Sequence, residues 1–188
     1  RTRYAQRRKL EMRVFNPVFF GEAITMDHIV AYTDIVGSAT GDMNALVIYD
    51  RGTRWLESYP TETLGTLEVH NCLLNFAAPH EHICYVYSDA SAAIKSACEG
   101  LGLRHDTSTP LMPRTNGIAE RQVQEIIHGT RVLLSRAGLP VSFWPFAMTA
   151  FCHGHNIYDR GDLSSPSTTR KSPWFQRFGK QFKGKRIP

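Results

Sequence analysis

Three carboxylates stand where an acid can do chemistry: Asp27 in "TMDHIV", Asp89 in "VYSDAS" and Glu120 in "TPLMPRTNGIAERQ". Ionised carboxylates are hard oxygen ligands. Gathered at one point they would suit Mg²⁺, which takes one or two carboxylates and keeps several of its waters. Without a cation such a gathering is costly, because two like charges roughly 4 Å apart repel by about 4 kcal/mol at an effective dielectric near 20. Singly, each acid has a plainer role. Asp89 can cap the helix that follows it, Glu120 can complement a helix dipole, and Asp27 can pair with a cation.

The elements that must position these acids follow from the apolar pattern. In "EAITMDHIVAY", Ile24, Met26, His28 and Val30 alternate with Ala23, Thr25, Asp27 and Ile29, a period of two that predicts a strand with an acid in its middle. "ALVIYD" reads as a buried strand, and "DRGT" turns the chain into "RWLESYP" as a hairpin partner. Thr63 is placed to cap a helix running to about Phe76, with Leu64, Leu67, Leu74 and their neighbours supplying its apolar stripe despite Gly65. "ICYVYSD" predicts a strand ending at Asp89, "SAAIKSACE" a short helix and "LGLRHD" a brief strand. From Ile118 a long helix is expected, with Ala119, Val123, Ile126, Ile127, Leu133 or Leu134 and Ala137 on its apolar face and Gly138 and Pro140 ending it. A last helix runs from a Ser142 cap to about Asn156. Strands grouped first and then alternating with helices predict an α/β domain whose sheet is mixed, a hairpin meander leading into βαβ crossovers.

Charge divides the chain. Residues 1 to 13 carry six Arg/Lys against Glu11, a charge of +5; residues 170 to 188 carry seven Arg/Lys and no acid, +7; the span between carries −7. Basic ends around an acidic centre fit tails that hold a polyanion and a centre that holds cations; solvated ends that bind nothing specific fit the charge equally well. Residues 1–20 are read as a basic linker, 21–157 as the core, and 158–188 as a basic tail whose Lys180, Lys183, Lys185 and Arg186 would meet nucleic acid. No apolar run reaches the roughly 18 residues of a membrane helix, and the Arg-rich start lacks the apolar stretch of a secretory signal. An intracellular location without a membrane is expected. Cys72, Cys84, Cys98 and Cys152 are far apart with no Cys-x-x-Cys pair, which predicts reduced thiols. His80-x-His82 beside Cys84, and Cys152-His153-x-His155, lack the usual zinc spacings.

With these motifs in view, "TMDHIV", "VYSDAS" and "STPLMPRTNGIAERQ" resemble the three acidic motifs of the retroviral and retrotransposon integrase catalytic core, in particular that of copia-type elements. The third is the most specific, since Ser-Thr-Pro, the second proline, Asn-Gly and Ala-Glu-Arg stand in family order. "YDRGTRW" resembles the second-strand turn of such cores, and "FWPFAMTAFCHGHN" their following helix. The resemblance spans roughly residues 20 to 157. It implies a ribonuclease H-like fold with a five-stranded mixed sheet flanked by helices, and it assigns a metal-binding catalytic triad to Asp27, Asp89 and Glu120. Three departures stand out. Only 30 residues separate Asp89 from Glu120, and Ala90, Ser91, Ala92, Ala93 and Ile94 replace the polar run usual after the second acid. Gln124 stands where many retroviral members carry a lysine.

The implied activity is polynucleotidyl transfer on DNA, comprising 3′-end processing and strand transfer. Two Mg²⁺ or Mn²⁺ ions roughly 3.5–4 Å apart would activate the nucleophile and stabilise the leaving oxygen. The implied partners are retroelement ends and target DNA, with the chain working as a homo-oligomer in the nucleus or a nucleoprotein particle. Asn116 would start the long helix near the metals, and Arg121, Gln124, His128 and Arg131 would lie along the helix face that begins at Glu120. Two other readings stay open: a degenerate or domesticated core that binds nucleic acid without chemistry, and a ribonuclease H-like nuclease.

Overall fold

The computed structural model describes residues 16–30, 37–107, 117–158, 160–161 and 169–184. Strands β1 (Ile24–Val30), β2 (Asn44–Asp50) and β3 (Leu56–Thr61) form an antiparallel meander. Helix α1 (Thr66–Ala77) then carries the chain to β4 (Tyr85–Ser88), which pairs parallel with β1, and α2 (Ala92–Gly100) carries it to β5 (Arg104–Thr107), parallel with β4. The sheet order is β3-β2-β1-β4-β5, so the mixed five-stranded sheet expected from the sequence is present. Helices α3 (Gly117–Ala137) and α4 (Trp144–Ile157) follow, then a two-residue pair β6 (Arg160–Gly161) and β7 (Thr169–Arg170), and a short helix α5 (Pro173–Phe178).

The period-two pattern of β1 serves two covered faces, not one wet and one dry. Ile24 and Met26 join Leu46, Ile48 and Val86 in a core closed by Val69, Cys72, Leu73 and Phe76 of α1 and by Ile94, Ala97 and Cys98 of α2. Ile29 joins Ala45 and Val47 in a second core closed by Ile126 and Leu134 of α3 and by Trp144, Met148 and Cys152 of α4. A central strand buried on both sides is the expected state where helices flank both faces of a sheet. Helices α3 and α4 cross closely at Gly129, where a Cβ would stand 2.1 Å from the Phe151 ring.

Two local expectations are corrected. On α1 the stripe of Leu64, Leu67 and Leu74 faces outward, Leu67 being 71% exposed, and the sheet is met instead by Val69, Cys72, Leu73 and Phe76. Both stripes are apolar, but only the second has the i, i+3, i+4, i+7 spacing of one continuous face. The N-cap of that helix is Gly65, while Thr63 acts two residues earlier: its Oγ1 accepts the Gly65 N–H at 3.1 Å, and its own N–H donates to the Glu68 carboxylate. Likewise Ser142 lies within a single 3₁₀ turn (Val141–Phe143), and Phe143 occupies the cap position of α4.

The "DRGT" turn is organised by a buried acid. Asp50 Oδ1 accepts both the N–H and the hydroxyl of Thr53 at 2.7 Å, and Oδ2 accepts the Gly21 N–H at 2.9 Å. Burial raises the Asp50 carboxyl above its ordinary range, and these three donors oppose that rise. All four cysteines are free thiols, and burial raises Cys72, Cys98 and Cys152, the last to about 12. No helix among the described residues is long and apolar enough to cross a membrane.

Candidate active site

The parallel register of β1 and β4 runs Ile24↔Val86, Thr25↔Tyr87, Met26↔Ser88. Asp27 and Asp89 each follow the last pair of that register by one residue, at the same end of the pairing, with Asp27 directed to one face of the sheet. That face is the one toward α3, since Asp27 lies opposite Val47, a member of the α3/α4 core. Helix α3 packs across β1 and β2, with Glu120 in its first turn. Strand β1, the end of β4 and helix α3 thus bring the three acids close enough for Asp89 and Glu120 to act on Asp27.

The electrostatics record that proximity. Burial raises the half-buried Asp27 carboxyl to about 6, with the charge of Asp89 adding to the rise, the backbone N–H of His28 opposing it, and Glu120 adding further. The opposing contact is a 2.9 Å hydrogen bond from the His28 N–H to Asp27 Oδ1. Asp89 Oδ1 accepts the Ser91 N–H at 3.3 Å, so each aspartate uses one oxygen on a backbone donor just downstream. His28 is lowered by burial, with Asp89 acting against that shift. Among the described residues, no group of three His, Cys, Asp or Glu side chains already stands at the spacing that holds an ion. The donor chemistry nonetheless fits a hard divalent ion: the gathered groups are carboxylates, and their mutual repulsion is what raises Asp27 beyond its burial.

The other predicted site residues fall into three sets. Glu120, Arg121, Gln124, His128 and Arg131 are all exposed along one side of α3, opposite Ala119, Ile126 and Leu134. Lys180 and Lys183 are exposed after α5. Asn116, Lys185 and Arg186 lie outside the described residues. Of the histidine groups, His80, His82 and Cys84 are exposed, whereas His155 is buried between the Glu125 carboxylate at 3.6 Å and the Arg54 carbonyl at 3.1 Å.

One prominent charged residue was not singled out by the sequence reading. Arg177 lies on α5, within the stretch expected to be a tail, and its side chain is only 5% exposed. Its guanidinium pairs with Glu81, lies 3.8 Å from Glu57, and donates to the Phe76 carbonyl at 3.0 Å. The faces of Phe20 and Trp55 lie 3.7 and 4.6 Å from it. The signal was present in "SPWFQRFGK". Ser172 caps the helix by accepting the Phe175 N–H, Pro173 starts it, Trp174 and Phe178 lie at i and i+4, and Gly179 ends it at φ +66°.

No protein-family model matches the chain. Curated relatives are the retrovirus-related Pol polyproteins from transposon RE2 of Arabidopsis thaliana, 27% identical over 142 residues, and from transposon TNT 1-94 of Nicotiana tabacum, 36% identical over 63 residues. These alignments cover 71% and 34% of this chain but only 9% and 5% of those polyproteins, so the chain spans a small fraction of their length. Among solved structures, the catalytic core domain of BIV integrase superposes with a TM-score of 0.58 at 16% identity, covering 82% of this chain and 91% of that one. A chain of the simian T-cell lymphotropic virus intasome, solved with PP2A regulatory subunit B56 gamma, gives 0.66 at 17% identity, covering 92% of this chain and 59% of that one. At these identities the structural likeness is one of fold. In sequence the chain is thus similar to retrovirus-related Pol polyproteins of plant transposons, and in fold it matches the catalytic core domain of a retroviral integrase, a five-stranded mixed sheet of the ribonuclease H-like kind.

Proposed function

We propose that this chain is the catalytic core of a retrotransposon integrase, a polynucleotidyl transferase acting on retroelement ends and target DNA as a homo-oligomer. The single observation that carries this reading is the packing that pairs β1 parallel with β4, whose end leads into Asp89, and lays α3, with Glu120 in its first turn, across β1; the Asp27 carboxyl, raised to about 6 by burial and further by Asp89 and Glu120, accords with it. Three acids remote in sequence share one field. Asp27, Asp89 and Glu120 would hold two Mg²⁺ or Mn²⁺ ions, which when bound supply an activated nucleophile and charge stabilisation at the phosphorus. The chain's own part is to place the three carboxylates, one on β1, one just past the end of β4 and one on the helix that packs across β1. The exposed side of α3 leads away from Glu120 and offers Arg121, Gln124, His128 and Arg131 to phosphates and base edges. Asn116, outside the described residues, would also contact DNA. Lys180 and Lys183, with Lys185 and Arg186 beyond them, would add sequence-independent phosphate contacts.

A second reading, a core that binds DNA without chemistry, draws on the carboxylates' failure to stand at ion-holding spacing among the described residues. One assay separates the two. A branched DNA-end substrate with Mn²⁺ should be cleaved and rejoined by the purified chain, and Asp89→Asn should lower the rate by at least ~1,000-fold while DNA binding persists, since the ions supply most of the charge stabilisation. No activity in a folded and DNA-binding wild type would establish the second reading, and equal rates in both proteins would remove Asp89 from the chemistry. The basic segment is tested by Lys180→Ala with Lys183→Ala, which leaves Arg177 in place as truncation would not. Losing two phosphate contacts should make the slope of log affinity against log salt shallower by about 1.8, and an unchanged slope would remove both lysines from the DNA surface.

A further inference from the structure

The turn that carries Asp89 has little of its own to hold it. Ala90, Ala92, Ala93 and Ile94 bear no polar side chain, and Ser91 contributes its backbone N–H to Asp89 Oδ1. β4 ends at Ser88, one residue short of the acid. The anchor comes from the adjacent strand instead. Ser88 is fully buried, and its Oγ lies 2.8 Å from the Asp89 carbonyl oxygen and 2.8 Å from Nε2 of His105 on β5.

The direction of this relay follows from donor and acceptor capacity. A carbonyl oxygen only accepts, so the single Ser88 hydroxyl proton goes to Asp89. The Ser88 oxygen must then receive its second bond, which requires that His105 carry its proton on Nε2. Burial acts in the same sense, holding the imidazole below the usual histidine range despite Asp106, Asp89 and Glu99.

We infer that His105 is a positioning residue for the proposed active site: through Ser88 it fixes the Asp89 backbone, so that the carboxylate is presented toward Asp27. This rests on the function proposed above. It assigns to β5 a task that would otherwise fall to polar residues after the second acid.

Two measurements test it. The first needs no metal: the ring ¹⁵N shifts of His105 should report the Nε2–H tautomer, and an Nδ1–H tautomer would overturn the relay whatever the chain binds. The second compares His105→Leu, which removes the donor, with His105→Gln, whose amide N–H reaches a similar position. With folding checked by circular dichroism, the Mn²⁺ concentration giving half-maximal binding, followed by the electron paramagnetic resonance of free Mn²⁺, should rise about 10-fold for the leucine variant, and the glutamine variant should stay within about 3-fold of wild type. On the branched substrate the leucine change should lower kcat and leave the KM for DNA unaltered. Wild-type Mn²⁺ affinity in the leucine variant, or equal damage in both variants, would reduce His105 to packing. A wild type that shows the expected tautomer yet takes up no Mn²⁺ would instead sink the metal reading of the site, and with it the role given to this histidine.

Discussion

Two charged places in this molecule, around Arg177 and around Asp27, are built on opposite rules. Around Arg177 a buried cation is met from every side: Glu81 and Glu57 supply opposite charge, the Phe76 carbonyl accepts a hydrogen bond, and Phe20, Trp55, Phe76 and Phe178 turn ring faces toward it. Its field reaches Asp50 and opposes the rise that burial imposes there. Around Asp27 the two charges that act on the carboxyl have its own sign, and the contact that relieves it is a backbone N–H. Protein interiors tolerate charge when it is paired and saturated with hydrogen bonds, and disfavour it otherwise. The first arrangement therefore reads as a fastening, whereas the second reads as a place that stability alone would not build.

Breaking the fastening should have the largest effect on folding. Arg177→Met removes the cation and leaves Glu81 and Glu57 without it, and the loss of one partner from a buried ion pair costs about 3–5 kcal/mol. For a chain of this size that lowers Tm by roughly 10 °C, which urea denaturation and thermal melts would measure. Arg177→Lys should recover only part, because an ammonium can neither make the forked contact with Glu81 nor stack on Phe20 and Trp55. A loss below about 0.5 kcal/mol would place Arg177 with ordinary surface residues and end the contrast.

The acid group should respond in the opposite direction. A carboxyl whose folded pKa is raised binds its proton more readily in the folded state, so its contribution favours folding at low pH and is lost as pH climbs from about 4 to about 6. Asp27→Asn should then stabilise the metal-free protein above pH 6, by on the order of 1 kcal/mol once solvent screening of this half-buried group is allowed for, and should give no gain at pH 4. Adding Mn²⁺ should reverse the order of stability, since only the wild type keeps all three carboxylates. The comparison requires this sign. Destabilisation by asparagine at pH 7.5 without metal would mean that Asp27 is a structural acid like Asp50.

How much of this could be read in advance divides along similar lines. The sheet was legible because its strands carry strong local patterns: alternation in "ITMDHIV", an unbroken apolar run in "ALVIY" and a turn at "DRGT". The acid group was legible only through its resemblance to a known constellation, because a period-two pattern places Asp27 on a face without saying which strand lies beside it. The parallel register of β1 with β4, whose last pair Met26↔Ser88 immediately precedes the two aspartates, is a long-range fact that no local window contains. On α1 two leucine-bearing faces competed, and the sheet accepted the one ending in Phe76. Arg177 was concealed by its company: seven basic residues and no acid in the last nineteen positions read as solvated charge, and the partners that bury it, Glu57 and Glu81, lie about a hundred residues upstream. His105 was hidden for a similar reason, since its partner Ser88 belongs to the neighbouring strand.

The smallest effect supplies the calibration for the other two. Lys95 and Glu99 are spaced i, i+4 on α2 and approach to 4.0 Å, with side chains 65% and 67% exposed. The pair has the same formal ingredients as Arg177 with Glu81, yet water solvates both members before and after folding, and holding two long side chains in register costs entropy that the weak attraction barely offsets. A double-mutant cycle with Lys95→Ala and Glu99→Ala should give a coupling no larger than about 0.5 kcal/mol, shrinking further as salt is raised. If the measured coupling instead approached that of Arg177 with Glu81, burial and ring contacts would not be what separates a fastening from a solvated pair. The depth of Arg177 would then have no bearing on its strength, and the unbalanced charge at Asp27 could no longer be told from surface charge by the environment each group occupies.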